Sequence, residues 1–407
     1  MDRRRFLAAI PALGALAAAA RLPQFAWADV GDPQPIVAGA AAFGFDLYNR
    51  LREKPGNLFC SPFSIETALA MTGSGAAGDT QSEMSRVLHL ALDKGEAVHS
   101  GFAALVKTLT SLEGKGAPEL RIANALWGSA NFTFKQEFLN TLKEYYGAGF
   151  QTVNFAEAEA ARQKINGWVE EQTKDKIKEL FPQGVLNEMT RLVLVNAIYF
   201  KGTWKTTFDK EATQDAPFYG ATEVKVPLMH KTFRMQYAEG DDWQAVELPY
   251  RSSDLTMVVA LPRKRDGLAG LEAKLNPQSW AKETSKLNPE MVALSLPRFK
   301  SESAFALKDT LSAMGMAAAF SPDRANFSRM SDEKQLFIQA VIHKAVVEVN
   351  EEGTEAAAAT GVAVGARSAA PTREPKVVTC DHPFLYFIRD TKTGAILFMG
   401  RLTDPKA

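Results

Sequence analysis

A proline-free run of small residues near the C-terminal end constrains this chain more than any other segment. Residues 343–349 alternate as in a β-strand, and residues 350–353 form an acidic corner. From Glu351 to Ala370 the chain contains no proline and consists mostly of alanine, glycine, threonine and valine. A long surface loop usually carries proline, whereas a central strand excludes it because proline cannot donate a ladder hydrogen bond. This pattern therefore predicts a loop that is able to become a strand.

The small-residue run also has the two-residue period of a strand. Thr354, Ala356, Ala358 and Thr360 share one face, which can pack against a core, while the opposite face carries the charge of Glu355. A flexible alanine and glycine linker is the alternative interpretation of such a run. We favour the strand-forming interpretation because the run lies between two strongly β-like segments.

The composition is that of an ordinary globular protein with a large core. Of the 407 residues, 46% are hydrophobic and 23% are charged, and the formal net charge is zero. Nothing in this charge balance indicates nucleic acid or an anionic membrane as a partner. Because no linker-like stretch divides the chain, we expect a single domain.

Residues 1–28 have the pattern of a signal peptide, and we expect the folded domain to comprise residues 29–407. Arginines at positions 3–5 precede an alanine- and leucine-rich stretch, and a small-x-small cleavage site ends at Ala28. The paired arginines resemble a bacterial twin-arginine export signal, with an ordinary secretory signal as the alternative. The apolar stretch is too weak for a membrane anchor. The sequence therefore predicts an exported protein, either periplasmic or extracellular.

Cys60 and Cys380 are the two cysteines of the chain. An exported compartment permits a disulfide between them. Both cysteines nevertheless lie in apolar, strand-like or helix-starting contexts, where buried free thiols are common. The sequence leaves the bridged and the free states open.

Helical patterns dominate the first half of the chain and strand patterns the second. Apolar spacing predicts a helix after Ser61-Pro62 and further helices at 35–54, 81–92, 97–112, 136–147 and 158–181. Apolar runs and alternation predict strands at 120–127, 192–200, 224–238, 243–249, 254–261, 291–296, 335–349, 376–380, 384–389 and 395–401. This order favours an α+β fold with large antiparallel or mixed sheets.

Motifs spread over most of the expected domain resemble those of the serpins. They lie at 57–65, 165–169, 196–204, 381–388 and 398–401, and the hinge of the loop matches at Glu351, Gly353, Thr354, Glu355, Ala356, Ala357, Ala358 and Ala359. The resemblance implies a serpin-like single domain of the α+β class, with about eight to nine helices around about three β-sheets. It also implies an exposed reactive-centre loop at about residues 351–375.

The resemblance further assigns a reactive bond within that loop. In serpins this bond lies fourteen residues beyond the hinge glycine, a spacing that leads here from Gly353 to Arg367, followed by Ser368. A trypsin-like protease cleaves after arginine because an aspartate in its specificity pocket pairs with the guanidinium. The chain after Ser368 is longer than the family pattern. Arg373-Glu374 is therefore a second candidate bond, and an elastase-like cut at 363–365 is a third.

Two other groups of residues match the family pattern. The shutter, a polar cluster beneath the point where the main sheet parts, corresponds to Ser61, Ser64, Asn196 and His343. The breach, where the loop first enters the sheet, corresponds to Trp204, Arg298 and Glu351. A charge-assisted ion pair between Arg298 and Glu351 is expected there. Polar ties that can exchange partners suit a sheet that opens better than an interlocked apolar core does.

The resemblance implies a protease inhibitor and not an enzyme. Its partner would be a trypsin-like serine protease, held as a covalent acyl complex after the cleaved loop inserts into the main sheet. A monomer without cofactor, metal or membrane anchor is expected. The alternatives are a non-inhibitory serpin-fold binding protein and an inhibitor of elastase-like or cysteine proteases. An exported hydrolase is disfavoured because none of the five histidines lies in a triad or metal signature.

Overall fold

The computed structural model describes residues 31–111, 116–147, 149–333, 335–354 and 374–406. The expected signal peptide and the predicted bond between Arg367 and Ser368 lie outside these ranges. The same is true of five of the predicted hinge residues, namely Glu355, Ala356, Ala357, Ala358 and Ala359.

The described part of the chain contains nine α-helices, in agreement with the eight to nine expected. They are α1 (Gln34–Leu51), α2 (Pro62–Gly73), α3 (Gly78–Leu88), α4 (Glu96–Thr110), α5 (Gln136–Tyr146), α6 (Ala158–Gln172), α7 (Leu268–Ala273), α8 (Pro277–Thr284) and α9 (Lys308–Ala313). Across these same ranges, no helix is both long enough and apolar enough to cross a membrane.

Fifteen strands accompany these helices in the described residues. They are β1 (Leu58–Cys60), β2 (Glu119–Ser129), β3 (Phe150–Val153), β4 (Leu192–Thr203), β5 (Gln214–Tyr219), β6 (Glu223–Glu239), β7 (Trp243–Pro249), β8 (Leu255–Pro262), β9 (Asn288–Pro297), β10 (Phe299–Ala306), β11 (Ile338–Val349), β12 (Gly353–Thr354), β13 (Lys376–Thr379), β14 (Phe384–Asp390) and β15 (Ile396–Leu402).

One sheet has six strands in the order β10-β11-β12-β4-β2-β3. Its central strands β4 and β11 are also hydrogen-bonded directly to each other, in parallel, with Ile338 opposite Leu192 and Val346 opposite Tyr199. Strand β12 is only two residues long and lies between them at one end. The line along which β4 and β11 meet is called the seam below.

The other sheet has nine strands, and its long strand β6 divides it into two parts. The first residues of β6 pair with β5, while its last residues pair with β7. A smaller part made of β5, β6, β9 and β13 is thereby joined to a larger part that contains β7, β8, β14, β15 and β1. With the six-stranded sheet, these two parts account for the three sheets expected. The α+β class is confirmed.

Helix α2 begins as predicted after Ser61-Pro62 and is buried along its whole length. The side chain of Ser61 accepts a hydrogen bond from the backbone N–H of Ser64, which caps the helix, and proline occupies the first turn. This cap fixes both serines at the buried start of the helix, where they meet the six-stranded sheet.

Helix α6 ends at Gln172, nine residues before its predicted end at 181. Lys174 has a φ of 52°, and a residue in this left-handed conformation cannot continue an α-helix. The chain then returns inward, so that Ile177 is fully buried. The side-chain amide of Asn166 donates to the carbonyl oxygen of Phe181 at 3.0 Å and accepts a hydrogen bond from its backbone N–H at 2.9 Å. The apolar spacing that predicted a longer helix reflects burial of this irregular return segment.

Several short or polar elements are not predicted by the sequence pattern. Strand β10 is an edge strand whose buried residues alternate with exposed Lys300, Glu302 and Ala304, so it lacks the apolar run of a central strand. Helices α7, α8 and α9 are six to eight residues long, too short for a clear helical period.

Both cysteines are free and buried, which settles the alternative left open by the sequence. Burial raises the pKa of the Cys60 thiol to about 12. Burial also raises the pKa of Cys380, with a further contribution from the negative charge of Asp381. Because the thiolate is the reactive form of cysteine, neither group is prepared for redox chemistry at neutral pH.

Candidate functional site

The seam of the six-stranded sheet is the site to which most of the predicted residues contribute. Strand β12 runs antiparallel to both of its neighbours, with Thr354 opposite Val349 of β11 and opposite Gly202 of β4. Gly353 lies opposite Thr203 in the same register. The first residues of the predicted loop therefore already form a strand between β4 and β11.

Two glycines allow β12 to pack closely against the end of β4. Gly353 has a φ of 155°, and a Cβ atom there would lie 2.0 Å from the carbonyl oxygen of Gly202. A Cβ atom on Gly202 would lie 2.6 Å from the ring of Tyr250. Any other residue at either position would require the backbone or the ring to move. The hinge glycine is thus explained by the packing of β12 against β4.

The breach residues Trp204, Arg298 and Glu351 are brought together at the end of the seam. The indole Nε1 of Trp204 donates to the carbonyl oxygen of Asn350 at 3.0 Å, and its backbone N–H donates to Glu352 at 2.9 Å. Trp204 is fully buried. The corner at residues 350–352 is therefore attached to the end of β4 through both backbone and side-chain bonds.

Glu351 and Arg298 form an ion pair at this corner. The Arg298 Nε donates to Glu351 Oε2 at 2.9 Å, and the Thr213 hydroxyl donates to Glu351 Oε1 at 2.6 Å. The glutamate side chain is 3% exposed and the arginine side chain 44%. Burial opposes ionisation of the carboxyl, but the hydrogen bonds from Arg298 and Thr213 outweigh it and hold the pKa of Glu351 below its usual value. The pair is more enclosed than an ordinary surface ion pair.

The four shutter residues also meet, in a buried polar cluster halfway along the seam. His343 of β11 lies directly opposite Asn196 of β4, and their side chains are hydrogen-bonded to each other. The Asn196 amide donates to the Ser64 hydroxyl at 2.7 Å, and Ser61 donates to the carbonyl oxygen of Leu397 at 2.6 Å. The cluster therefore joins both strands of the seam to helix α2 and to β15.

His343 is neutral in this cluster, and its hydrogen bonds define the tautomer. Its Nε2 receives the backbone N–H of Ser61 at 3.1 Å, so Nε2 must be the unprotonated nitrogen. Nδ1 then carries the proton and donates it to the amide oxygen of Asn196. Burial lowers the pKa of His343 to about 3. Protonation would remove the acceptor that Ser61 needs.

Asn124 of β2 belongs to the same cluster and is not among the residues predicted from the sequence. Its amide oxygen accepts from the Ser64 hydroxyl at 3.0 Å and from Asn196 at 2.5 Å, while its amide nitrogen donates to the Ser64 carbonyl at 3.1 Å. The sequence offers one indication of this role, because Asn124 is a polar residue within the otherwise apolar strand at 122–127. Its partners come from α2 and β4, which are remote in sequence.

The other histidines do not assemble a catalytic triad in the described residues. His230 contacts the hydroxyl of Ser295 at 2.8 Å, but no described carboxylate is hydrogen-bonded to its other ring nitrogen. His99 bonds Tyr146. His89 contacts Asp46 and His382 contacts Asp381, but no described serine or cysteine is hydrogen-bonded to the other ring nitrogen of either histidine, and that of His382 contacts the carbonyl oxygen of Pro262. Within the same residue ranges, no group of three or more potential ligands is placed to bind a metal ion.

The predicted reactive bond at Arg367–Ser368 lies outside the described residues, as does Arg373. The described chain leaves the seam at Thr354 and is next paired at β13, where Lys376 lies opposite Val292 of β9. The two attachment points of the predicted loop therefore belong to different sheets.

Comparisons with known proteins show which family the chain is similar to. A family model described as "Serpin (serine protease inhibitor)" matches residues 38–405. The chain is 43% identical over 380 residues to a serpin-like protein of Thermococcus kodakarensis, covering 92% of this chain and 87% of that protein. It is 42% identical over 387 residues to the leukocyte elastase inhibitor of Bos taurus, covering 91% and 100%. The crystal structure of human thyroxine-binding globulin with thyroxine matches with a TM-score of 0.83 and 31% identity, covering 92% of this chain and 99% of that one.

Proposed function

Because the chain belongs to the serpin family and its relatives include protease inhibitors, we propose that it is a suicide-substrate inhibitor of trypsin-like serine proteases. It would act as a monomer and bind its target as a covalent acyl complex. The observation that carries the proposal is strand β12, which begins the insertion of the loop between β4 and β11.

The strand directions at the seam favour completion of that insertion. Strands β4 and β11 are parallel to each other, whereas β12 is antiparallel to both. Extending β12 would replace one parallel pairing with two antiparallel ones, which are slightly more stable per residue. About fourteen additional backbone hydrogen bonds at ~1 kcal/mol each, together with apolar burial, provide on the order of 10–30 kcal/mol.

The chemistry would proceed through the ordinary acylation step of a serine protease. The serine oxygen attacks the carbonyl carbon of Arg367, the bond to the nitrogen of Ser368 breaks, and the new amine leaves with a proton. An ester now joins Arg367 to the protease, and the hinge end of the loop is free. Insertion of residues 355–367, which follow β12, at ~3.3 Å per residue would move the attached protease by roughly 40 Å or more.

Inhibition then depends on a competition between two rates. If insertion is faster than hydrolysis of the ester, the protease is displaced and its active site is distorted before water can attack. If insertion is slower, the ester is hydrolysed and the protein is released as a cleaved substrate. Small side chains at 356–359 favour the first outcome because they enter the seam at little steric or desolvation cost.

An elastase-like target is the second candidate, and one observation favours it. The chain is 42% identical to the bovine leukocyte elastase inhibitor. Residues 363–365 are Ala-Val-Gly, which suits a protease with a small specificity pocket. The cut would then lie two to four residues before Arg367, and the inserted strand would be correspondingly shorter.

The proposal is tested by mixing the purified protein with trypsin and analysing the products on a denaturing gel and by mass spectrometry. We expect a complex that survives SDS and a released peptide that begins at Ser368. The variant Arg367→Ala should lose the complex with trypsin. Cleavage at Arg367 without a complex would contradict trypsin inhibition, and a parallel reaction with elastase would show whether residues 363–365 are used instead.

We also propose that residues 1–28 direct export, through the twin-arginine pathway. The basis is the arginine pair and the small-x-small site that ends at Ala28. The double variant Arg3→Lys/Arg4→Lys should block export. Unchanged export of that variant would contradict the twin-arginine assignment, whereas loss of export only on deletion of the apolar stretch would indicate an ordinary secretory signal.

A further inference from the structure

The hinge of the loop is bonded to a tyrosine of the nine-stranded sheet. Tyr250 lies in the turn between β7 and β8, and its hydroxyl is 2.7 Å from the hydroxyl of Thr354 in β12. Tyr250 is 1% exposed and Thr354 is fully buried, so water has no access to either hydroxyl. Among the described residues, each hydroxyl is hydrogen-bonded to the other alone, so removing one leaves the other buried without a bond.

The position of the Tyr250 ring is determined by the end of β4. The ring stacks on Trp204, with centroids 4.7 Å apart and planes inclined by 17°, and meets the edge of Phe200 at 4.9 Å. The absence of a side chain at Gly202 leaves the space that the ring occupies. Trp204 and Tyr250 also form an isolated antiparallel bridge. The hydroxyl is consequently presented at one fixed point beside the seam.

We propose that Tyr250 is a positioning residue that holds Thr354 between β4 and β11 and thereby sets the rate at which the rest of the loop inserts. A strand extends more readily from residues already paired than from unpaired ones, because the first pairing costs conformational entropy. Without the Tyr250 hydroxyl, the Thr354 hydroxyl is buried without a partner, and the hinge favours leaving the seam. The rate claim rests on the proposed inhibitory function, whereas the positioning claim does not.

The positioning claim is tested on the free protein by hydrogen exchange of the backbone amides of Gly353 and Thr354. We expect Tyr250→Phe and Thr354→Val each to speed this exchange about tenfold, as for loss of one buried hydrogen bond. The double variant should exchange no faster than either single variant, because both remove the same bond. Thr354→Ser keeps a hydroxyl and should restore slow exchange.

A matched control is Tyr237→Phe, which removes a tyrosine hydroxyl bonded to Glu239 and Gln244 in the nine-stranded sheet. It should leave exchange at the hinge unchanged. Additive effects in the double variant, equal effects of the control, or fast exchange in Thr354→Ser would each overturn the positioning claim.

The rate claim is tested with trypsin, using the same variants. Tyr250→Phe and Thr354→Val should shift the products from SDS-stable complex toward cleaved protein, and Thr354→Ser should shift them back. Faster hinge exchange without any shift in products would overturn the rate claim. If the unaltered protein forms no complex with any protease tested, the proposed function fails, while the exchange result still decides whether Tyr250 positions the hinge.

Discussion

The register of β12 predicts which neighbours each loop residue would have if the loop inserted. Thr354 lies opposite Gly202 and Val349, so continuing both ladders places Ala356 opposite Phe200 and Val347. These two partners are 0% and 1% exposed and belong to the main core. An arginine at position 356 would therefore have to bring its guanidinium into that core.

The magnitude of the effect follows from this placement. Leaving a charge buried without a partner costs several kcal/mol, about 3–5 in proteins where one member of a buried pair is removed. Position 356 is only two residues beyond the formed strand, so the cost arises early in insertion and raises its barrier. A barrier increase of about 3 kcal/mol slows insertion more than a hundredfold. If the protein inhibits as proposed, Ala356→Arg should consequently be cleaved as a substrate instead of forming a complex.

The matched control is Glu355→Arg, which introduces the same side chain one residue earlier. The same register places residue 355 opposite Lys201, which is half-buried, and Glu348, which is exposed, on the other face of the sheet. Both variants are titrated against trypsin, and complex and cleaved protein are quantified on denaturing gels. Ala356→Arg should give mainly cleaved protein, and Glu355→Arg mainly complex. Equal yields of complex would refute the register and the burial argument together.

Three further predictions concern the ties at the seam. The pKa of His343 is lowered to about 3 from an unfolded value near 6.5, so only the unfolded state binds a proton between these limits. As the pH drops below about 6.5, this residue should lower the free energy of unfolding by ~1.4 kcal/mol per pH unit. Urea titrations of His343→Gln at several pH values should lack that contribution. Arg298→Met leaves Glu351 enclosed without its cation and should cost about 1–3 kcal/mol of stability, most of it recovered when Glu351→Gln is added. Asn124→Val removes three buried hydrogen bonds of the shutter and should cost at least as much, unlike an exposed substitution such as Asn140→Val.

Local patterns in the sequence predicted much of the fold because they coincide with the tertiary environment. Strand β7 has the predicted bounds, since most of its residues are buried and it ends at Pro249. Helix α2 begins where serine and proline provide its cap and first turn. The end of α6 was not predictable in this way. Its return segment keeps a helix-like apolar spacing while the backbone turns at Lys174.

The site shows the same division between local and long-range information. The hinge, shutter and breach residues were named from the family resemblance, and all but His343 and Arg298 lie in motifs that are contiguous in sequence. Tyr250 and Asn124 could not, because their roles depend on partners 104 and 60 residues away, and only the strand pairing brings them there. The ion pair between Glu351 and Arg298 shows why a predicted ion pair alone is weak evidence for a functional site. Burial of Glu351 distinguishes this pair from an ordinary surface pair, and burial cannot be read from the sequence.

The two-residue period of the loop sequence matches the neighbours that β4 and β11 would offer to an inserted strand. Continuing the register of β12 places Ala358 opposite Ile198 and Ala345, both buried in the core, and Thr360 opposite Asn196 and His343. On the face that enters the core, the hydroxyl groups of Thr354 and Thr360 would then lie beside polar groups, at Tyr250 and at the shutter. Between these two threonines, alanine at positions 356 and 358 would lie beside apolar neighbours. Insertion would separate His343 from Asn196, and the Thr360 hydroxyl can both donate and accept, so it can replace the bond they lose. A loop with this order of threonine and alanine is therefore complementary to the opened seam before any protease has cut it.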